Sequence, residues 1–249
     1  MEVFLKSDIG LVRSTNQDAC TGGVFSGDAA WAVVCDGMGG ANGGNVASSV
    51  AVKEISRRLK RGYRDSLTDD EIVDLLTEIV QKANSKLYKI QKNDPELRGM
   101  GTTVELVLVK GNKLHVVHAG DSRVYSIRGR RIKQLTIDHS VVQEMVEKGE
   151  ITSEQAMAHP NKNIITRALG IVPEIHLDYI EGDFKENDYV VICTDGLSNY
   201  IKPAEFVRMA RTNYGEQYTQ ALVDSAKELG GSDNITVAVI ANSSEVGED

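Results

Sequence analysis

Four times along the chain an aspartate stands beside a small or turn-forming residue at the end of an apolar run. Asp36-Gly37 follows Ala-Val-Val-Cys35, Asp121-Ser122 follows Val-Val-His-Ala-Gly120, and Asp195-Gly196 follows Val-Ile-Cys-Thr194; Asp233-Asn234 precedes its run instead. Strand ends are rigid, so carboxylates placed there could converge on one spot. Converging carboxylates repel unless cations stand between them, and oxygen-only ligands select hard ions such as Mg²⁺ or Mn²⁺. Asp-Gly is also ordinary turn chemistry, and any one of the four alone could be just that. Their recurrence points to a metal centre, although spacing alone does not settle it.

Two further segments bear on phosphate. Asp36-Gly-Met-Gly-Gly-Ala-Asn-Gly-Gly44 lies between a strand-like run and a helix-like one, the context of a phosphate cradle. The nucleotide-binding letters are missing, however: there is no G-x-x-x-x-G-K-[ST], and Asn42 stands where the dinucleotide fingerprint needs a third glycine. Glycines still let backbone approach an ion, for instance through the Gly37 carbonyl. In Gly10-Leu-Val-Arg13-Ser-Thr-Asn16-Gln17-Asp18, the planar fork of Arg13 suits phosphate oxygens, or else a surface ion pair.

Other phosphate-ester chemistries fail on inspection. A cysteine-nucleophile phosphatase needs an arginine six residues after its cysteine. The residues six after Cys20, Cys35 and Cys193 are Ser26, Ala41 and Asn199. An aspartyl-phosphate enzyme would show Asp-x-Asp, which this chain lacks. His115 and His118, three apart on one strand, point to opposite faces, and His139 and His159 are each alone in loop-like sequence. No zinc site follows from them.

These residues need elements to position them. Strands are predicted over Ala30–Cys35, Thr103–Lys110, Lys113–Ala119, Ser122–Arg128, Arg131–Thr136, Tyr189–Thr194 and Ile235–Ala241, all short and rich in Val, Ile and Leu. Gly111-Asn112, Gly120-Asp121 and Gly129-Arg130 separate the middle four so closely that hairpins are expected at all three turns. Thr68 and Glu71 read as a capping box opening a helix to about Lys92, whose apolar residues keep a helical period. Further helices are expected over Asn45–Leu59, after Pro203, and from about Glu216 to Leu229. Strand runs separated by helix pairs imply sheet layers covered by helices, not an alternating doubly wound fold.

Composition sets the outer limits. The 249 residues carry 28 Lys+Arg against 36 Asp+Glu, a formal charge of -8, which disfavours a broad nucleic-acid surface. The basic run Arg57-Arg58-Leu59-Lys60-Arg61 reads as a solvated helix end, where cations suit the helix dipole. Three scattered cysteines make no disulfide framework and suit a reducing compartment. The first residues meet a charge before any signal-peptide core, and no apolar stretch approaches a membrane span. A cytoplasmic protein with no membrane insertion is expected. A single domain over residues 1–241, followed by an acidic tail over 242–249, is the simpler organisation.

Assembled, these residues resemble the metal-dependent phosphatases of the protein phosphatase 2C type, in particular their compact bacterial members. The resemblance runs from about Ser7 to Ala241. It rests on Gly10-x-x-Arg13-x-x-Asn16-x-Asp18, Cys35-Asp36-Gly37-Met38-Gly39-Gly40, Gly101-Thr102-Thr103, Gly120-Asp121-Ser122-Arg123, Thr194-Asp195-Gly196 and Asp233-Asn234-Ile-Thr, in that order.

The resemblance implies an α+β fold, a four-layer α-β-β-α sandwich of two antiparallel sheets flanked by helices. It implies two Mn²⁺ or Mg²⁺ ions in a core site, with Asp36 bridging them, the Gly37 carbonyl assisting, and Asp195 and Asp233 completing the set. Asp18 would act through water, and Asp121 with Asp195 would hold a third, weaker ion. Arg13 would clamp the substrate phosphate, and residues 146–170 would form a flap beside the cleft. The implied activity is hydrolysis of phosphoserine and phosphothreonine in proteins by a monomer, opposing a cytoplasmic Ser/Thr kinase and acting on that kinase's substrates.

Four positions depart from the family pattern. Ala41 and Asn45 stand where bacterial relatives often carry His and Glu, Met38 where many eukaryotic ones carry a proposed acid histidine, and Gln17 where those carry a glutamate. The leaving-group acid is therefore open between water at the metals and His139. The rival readings are a non-catalytic regulatory module of the same fold and a metal-dependent phosphodiesterase or nuclease.

Overall fold

The computed structural model describes residues 1–25 and 28–242, without the side chains of residues 41 and 42. Beyond Asn242, the acidic tail expected from the sequence lies outside the described residues.

In chain order the elements are β1 (Glu2–Asp8), β2 (Asp18–Phe25), β3 (Ala29–Met38), α1 (Gly40–Gly62), α2 (Asp69–Asn93), β4 (Gly101–Thr102), β5 (Val104–Lys110) and β6 (Lys113–Ala119). They continue with β7 (Arg123–Arg128), β8 (Arg131–Gln134), α3 (Val141–Glu147), α4 (Ser153–Ala158), β9 (Asp178–Asp183) and β10 (Asp188–Cys193). After these come α5 (Asp195–Ser198), α6 (Pro203–Ala210), α7 (Gly215–Glu228) and β11 (Ile235–Ala241).

One sheet runs β1-β11-β10-β7-β8, the other β2-β3-β5-β6-β9 with the short β4 beside β3. Every pairing is antiparallel. Three apolar cores separate the layers. Trp31, Val33 and Leu106 meet Ile55, Leu76 and Ile79 of α1 and α2. Val34, Val107 and Val116 meet Val190, Ile192 and Ala238 between the sheets. Val191 and Val237 meet Phe206 and Leu222 of α6 and α7. The layering is therefore the four-layer sandwich expected. It explains why β3 is apolar without alternation: Ala29 to Cys35 are all buried, because both faces of the strand are covered.

The helices follow their sequence signals. Thr68 and Glu71 form the reciprocal cap of α2, with Glu71 N–H donating to Thr68 Oγ1 at 3.3 Å and Thr68 N–H to Glu71 Oε2 at 2.8 Å. Ile72, Leu76, Ile79, Ala83 and Leu87 are its buried stripe. Arg57 and Arg58 both pair with the buried Glu54 of α1, so part of the basic run is anchored rather than simply solvated.

One expected turn is not a hairpin. Gly111-Asn112 and Gly129-Arg130 do join paired strands, but Gly120 to Ser122 carries the chain from one sheet to the other. The reason is topological: β6 is already flanked by β5 and β9, so no edge is free for β7. At the crossing Gly120 has φ +126°, and a Cβ there would lie 2.6 Å from Thr103 Cβ. This link places Asp121 at one end of the sandwich. Strands β1, β2, β4 and β9 lie outside the predicted strands, and α3, α4 and α5 outside the predicted helices. Among the described residues, no helix is long and apolar enough to cross a membrane.

Candidate metal and phosphate site

Elements of both sheets deliver their carboxylates to the same end of the molecule. Asp18 opens β2 and stands opposite Asp36 of β3 in the strand register. Asp195 opens α5 directly after β10, and Asp233 immediately precedes β11, the neighbour of β10. Arg13, Asp36, Gly37, Asp121, Asp195 and Asp233 line one cleft of about 370 Å³. Asp18 lies buried behind it. The metal and phosphate candidates Arg13, Asp18, Asp36, Gly37, Asp121, Asp195 and Asp233 thus lie at one end of the molecule, while His139 is not among the lining residues.

The backbone around Asp36 is fixed from several sides. Its N–H donates to Thr103 Oγ1 at 2.9 Å, while its carbonyl accepts from Thr102 Oγ1 at 2.8 Å and Thr103 N–H at 2.8 Å. Gly37 must be glycine for space: a Cβ would sit 2.0 Å from the Gly44 carbonyl oxygen and 2.6 Å from that of Gln17.

The electrostatics are those of crowded like charges. Burial first, and then Asp18, Asp195, Asp121 and Asp233, push the Asp36 carboxyl well above its ordinary value. Burial and Asp195 push Asp121 up to about 8, and burial pushes Asp18 up to about 7. Burial and Asp233 raise Asp195. Asp18 Oδ2 accepts from Thr194 Oγ1 at 2.9 Å, but its Oδ1 is buried with no partner. At the rim Arg13 pairs with Asp233 at 2.8 Å and keeps half its side chain exposed.

An oxygen-rich, mutually repelling set with an orphaned buried carboxylate oxygen fits hard divalent cations. Among the described residues no group of three or more His, Cys, Asp or Glu is arranged to hold an ion by itself.

His139 does not serve as a donor to this cleft. Its Nδ1 accepts the Gly120 N–H at 3.1 Å, and its Nε2 lies 3.1 Å from Asp178 Oδ2 and 3.0 Å from Arg167 Nη1, so both ring nitrogens are engaged away from the cleft. Burial, and then His118, hold it down to about 4, so the ring is neutral at physiological pH. It stacks on His118 with centroids 4.4 Å apart and supports the Gly120 link from below.

Behind it, Glu105 and His118 form a fully buried pair between the sheets, with Nδ1 2.6 Å from Oε1. Burial pushes Glu105 up to about 7 despite His118. Burial opposes the His118 charge, but Glu105 outweighs it and His118 rises to about 9. Both folded values exceed the ordinary 4.5 and 6.5, so the folded state binds protons more tightly than the unfolded chain. This contribution is complete below the unfolded values and is lost as pH rises through about 7 and then about 9. The thermal midpoint should therefore fall as pH is raised across that window. A Glu105→Leu/His118→Leu double variant should show a flatter profile by scanning calorimetry, and an unchanged slope would contradict the assignment.

A profile of the Protein phosphatase 2C family matches residues 12–228. The chain belongs to that family. It is 35% identical over 249 residues to the protein phosphatase PhpP of Streptococcus pneumoniae, covering 100% of both chains. Among solved structures it resembles the serine/threonine phosphatase of S. agalactiae, with TM-score 0.89 and 34% identity over 96% of this chain and 98% of that one. It also resembles the catalytic domain of the serine threonine protein phosphatase PstP in complex with 2 manganese ions, with TM-score 0.83 and 31% identity over 96% of each. The fold of these family members is the sandwich described above.

Sequence reasoning gave no role to Thr102, Thr103, Thr194 or Asn234. Hydroxyls and amides that hold an aspartate or a loop in place leave no spacing signal; the signal for these four is their presence in the Gly101-Thr102-Thr103, Thr194-Asp195-Gly196 and Asp233-Asn234 motifs.

Proposed function

We propose that the protein is a metal-dependent serine/threonine phosphatase that hydrolyses phosphoserine and phosphothreonine in proteins. The observation that carries this reading is the convergence of Asp36, Asp121, Asp195 and Asp233 on one cleft with Arg13 at its rim.

Asp36, the Gly37 carbonyl, Asp195 and Asp233 would hold two core ions, Mn²⁺ or Mg²⁺. Asp121 with Asp195 would hold a third, weaker one, and Asp18 would act through water. Bound, such ions neutralise charge on phosphoryl oxygens and lower the pKa of a water. The remaining work belongs to the chain. Arg13, held at the rim by its ion pair with Asp233, offers its fork to the phosphate oxygens. Thr102 and Thr103 hold Asp36 in place, which limits reorganisation as charge develops. Among the described residues no histidine lines the cleft, so water is the proposed proton source for the leaving serine or threonine oxygen.

Beside the site a second cavity of about 500 Å³ shares Asp121, Asn163 and Asp195 with it and is walled by Val142, Val146 and Met157. Residues 146–170 would act there as a flap against the flanking substrate peptide. The residues of the proposed site all come from one chain, which supports a monomeric enzyme formed by one domain. The free cysteines suit a reducing compartment, and a cytoplasmic Ser/Thr kinase that forms the phosphoproteins would be its counterpart.

With Mn²⁺, phosphothreonine and phosphoserine peptides should be hydrolysed faster than a phosphotyrosine peptide, and chelation by EDTA should abolish turnover. Mn²⁺ binding by calorimetry with no turnover on any phosphoester would instead support the regulatory module. Faster hydrolysis of a nucleic acid than of phosphopeptides would support the phosphodiesterase.

A further inference from the structure

The residues from Ile9 to Gln17 link β1 to β2 as an irregular loop with Arg13 near its middle. Such a loop has no ladder to fix it, yet a phosphate-binding guanidinium must be held within a fraction of an ångström of its ligand. Asp8 and Asn16 make local hydrogen bonds at its two ends, but one side chain ties the backbone of those ends together. Asn234 Nδ2 donates to the carbonyl oxygens of Ile9 at 2.9 Å and Thr15 at 3.0 Å, and its Oδ1 accepts the Gln17 N–H at 2.8 Å. The residue is 4% exposed. Both amide donors and the amide oxygen are spent on backbone groups at the two ends of the loop, which closes its base like a clasp.

Neighbouring contacts run the same way. Leu11 N–H donates to the Gly231 carbonyl at 2.7 Å. Gly10, at φ +79°, lies so near the Asp233 carbonyl oxygen that a Cβ would come within 2.1 Å. The Gln17 carbonyl accepts the Gly37 N–H at 3.1 Å, so the clasp also reaches the end of β3.

We propose that Asn234 is the positioning residue for Arg13: its carboxamide closes the base of the Ile9–Gln17 loop and thereby sets the guanidinium against the substrate phosphate. No other side chain of this length brings two donors and an acceptor. Aspartate would turn an oxygen toward two carbonyl oxygens, and alanine would leave three backbone groups unpaired. What Arg13 meets rests on the phosphatase reading; the clasp itself does not.

The test is a double-mutant cycle on the full chain with a phosphothreonine peptide at saturating Mn²⁺. Asn234→Asp should lower kcat/KM by up to about 100-fold, chiefly through KM. In an Arg13→Ala background the same change should cost less than about twofold more, because the two residues act as one unit. Equal fold losses in both backgrounds overturn the proposal. Amide hydrogen exchange read by mass spectrometry gives a second criterion. Residues 9–17 should exchange faster in the variant while β2 and β11 keep their protection, whereas general acceleration across both sheets overturns the proposal. Asn234→Ser serves in both measurements if Asn234→Asp does not fold. A wild type inert toward every phosphoester would sink the phosphatase reading, and the exchange pattern would still decide the clasp.

Discussion

Asp36→Asn should remove at least about 4 kcal/mol of transition-state stabilisation, a loss of about a thousandfold in kcat. The substitution keeps the shape of the side chain, and the Thr102 and Thr103 hydrogen bonds act on the backbone, so the amide should remain where the carboxylate stood. What disappears is one charge from the centre of the cluster. Asp195→Asn should behave alike. The metal-free protein should not be weakened, because Asp36 is buried among like charges that oppose its ionisation. Single-turnover rates on a phosphothreonine peptide with saturating Mn²⁺, beside urea unfolding without metal, check both halves. Near-normal turnover in the variant would refute the metal-ligand role.

Gly37→Ala should cost about 3 kcal/mol of stability and most of the activity together. The added methyl meets only main chain, the carbonyl oxygens of Gly44 at 2.0 Å and Gln17 at 2.6 Å. Neither belongs to a side chain that could swing away, so either the start of α1 or the Arg13 loop must move. Gly182→Ala is the control: in β9 the nearest atom to a new Cβ is Leu114 Cδ2 at 3.7 Å, and surface-type substitutions stay within about 0.5 kcal/mol. Urea midpoints and kcat for both variants give the comparison. A Gly37→Ala protein as stable and active as the control would show that this end of β3 is loosely held.

The apolar strands were legible because a strand covered on both faces is built mainly of apolar residues, as β3, β5 and β11 are, with the buried Glu105 and Thr236 among the exceptions. Strands β1 and β2 were not: Glu-Val-Phe-Leu-Lys-Ser-Asp has charged ends, and Asp-Ala-Cys-Thr-Gly-Gly-Val-Phe carries a glycine pair that weakens any strand reading. The Gly120-Asp121 crossing shows a different limit. A short glycine turn between two strands looks the same whether the second strand pairs with the first or leaves for another sheet; the neighbours of β6 decide, and they come from elsewhere in the chain. At the site, the aspartates stood out through repetition. The alternative reading of Arg13 as an ion-pair partner is also met in the structure, with Asp233. Asn234 was visible only as the letter after Asp233, since its three partners lie more than 210 residues away.

The strand that follows Asp233 is threaded between two others: β11 lies between β1 and β10, and its register sets Glu2 opposite Ala241. A polypeptide emerging from the ribosome as far as α7 would therefore carry a seam down one sheet, with two unsatisfied edges inviting wrong partners. It would also lack Asp233 and Asn234, whatever else had formed. Closing so distant a pairing is slow. Unfinished copies should thus stay silent toward phosphoproteins and lean on chaperones, and switching on should coincide with insertion of that central strand.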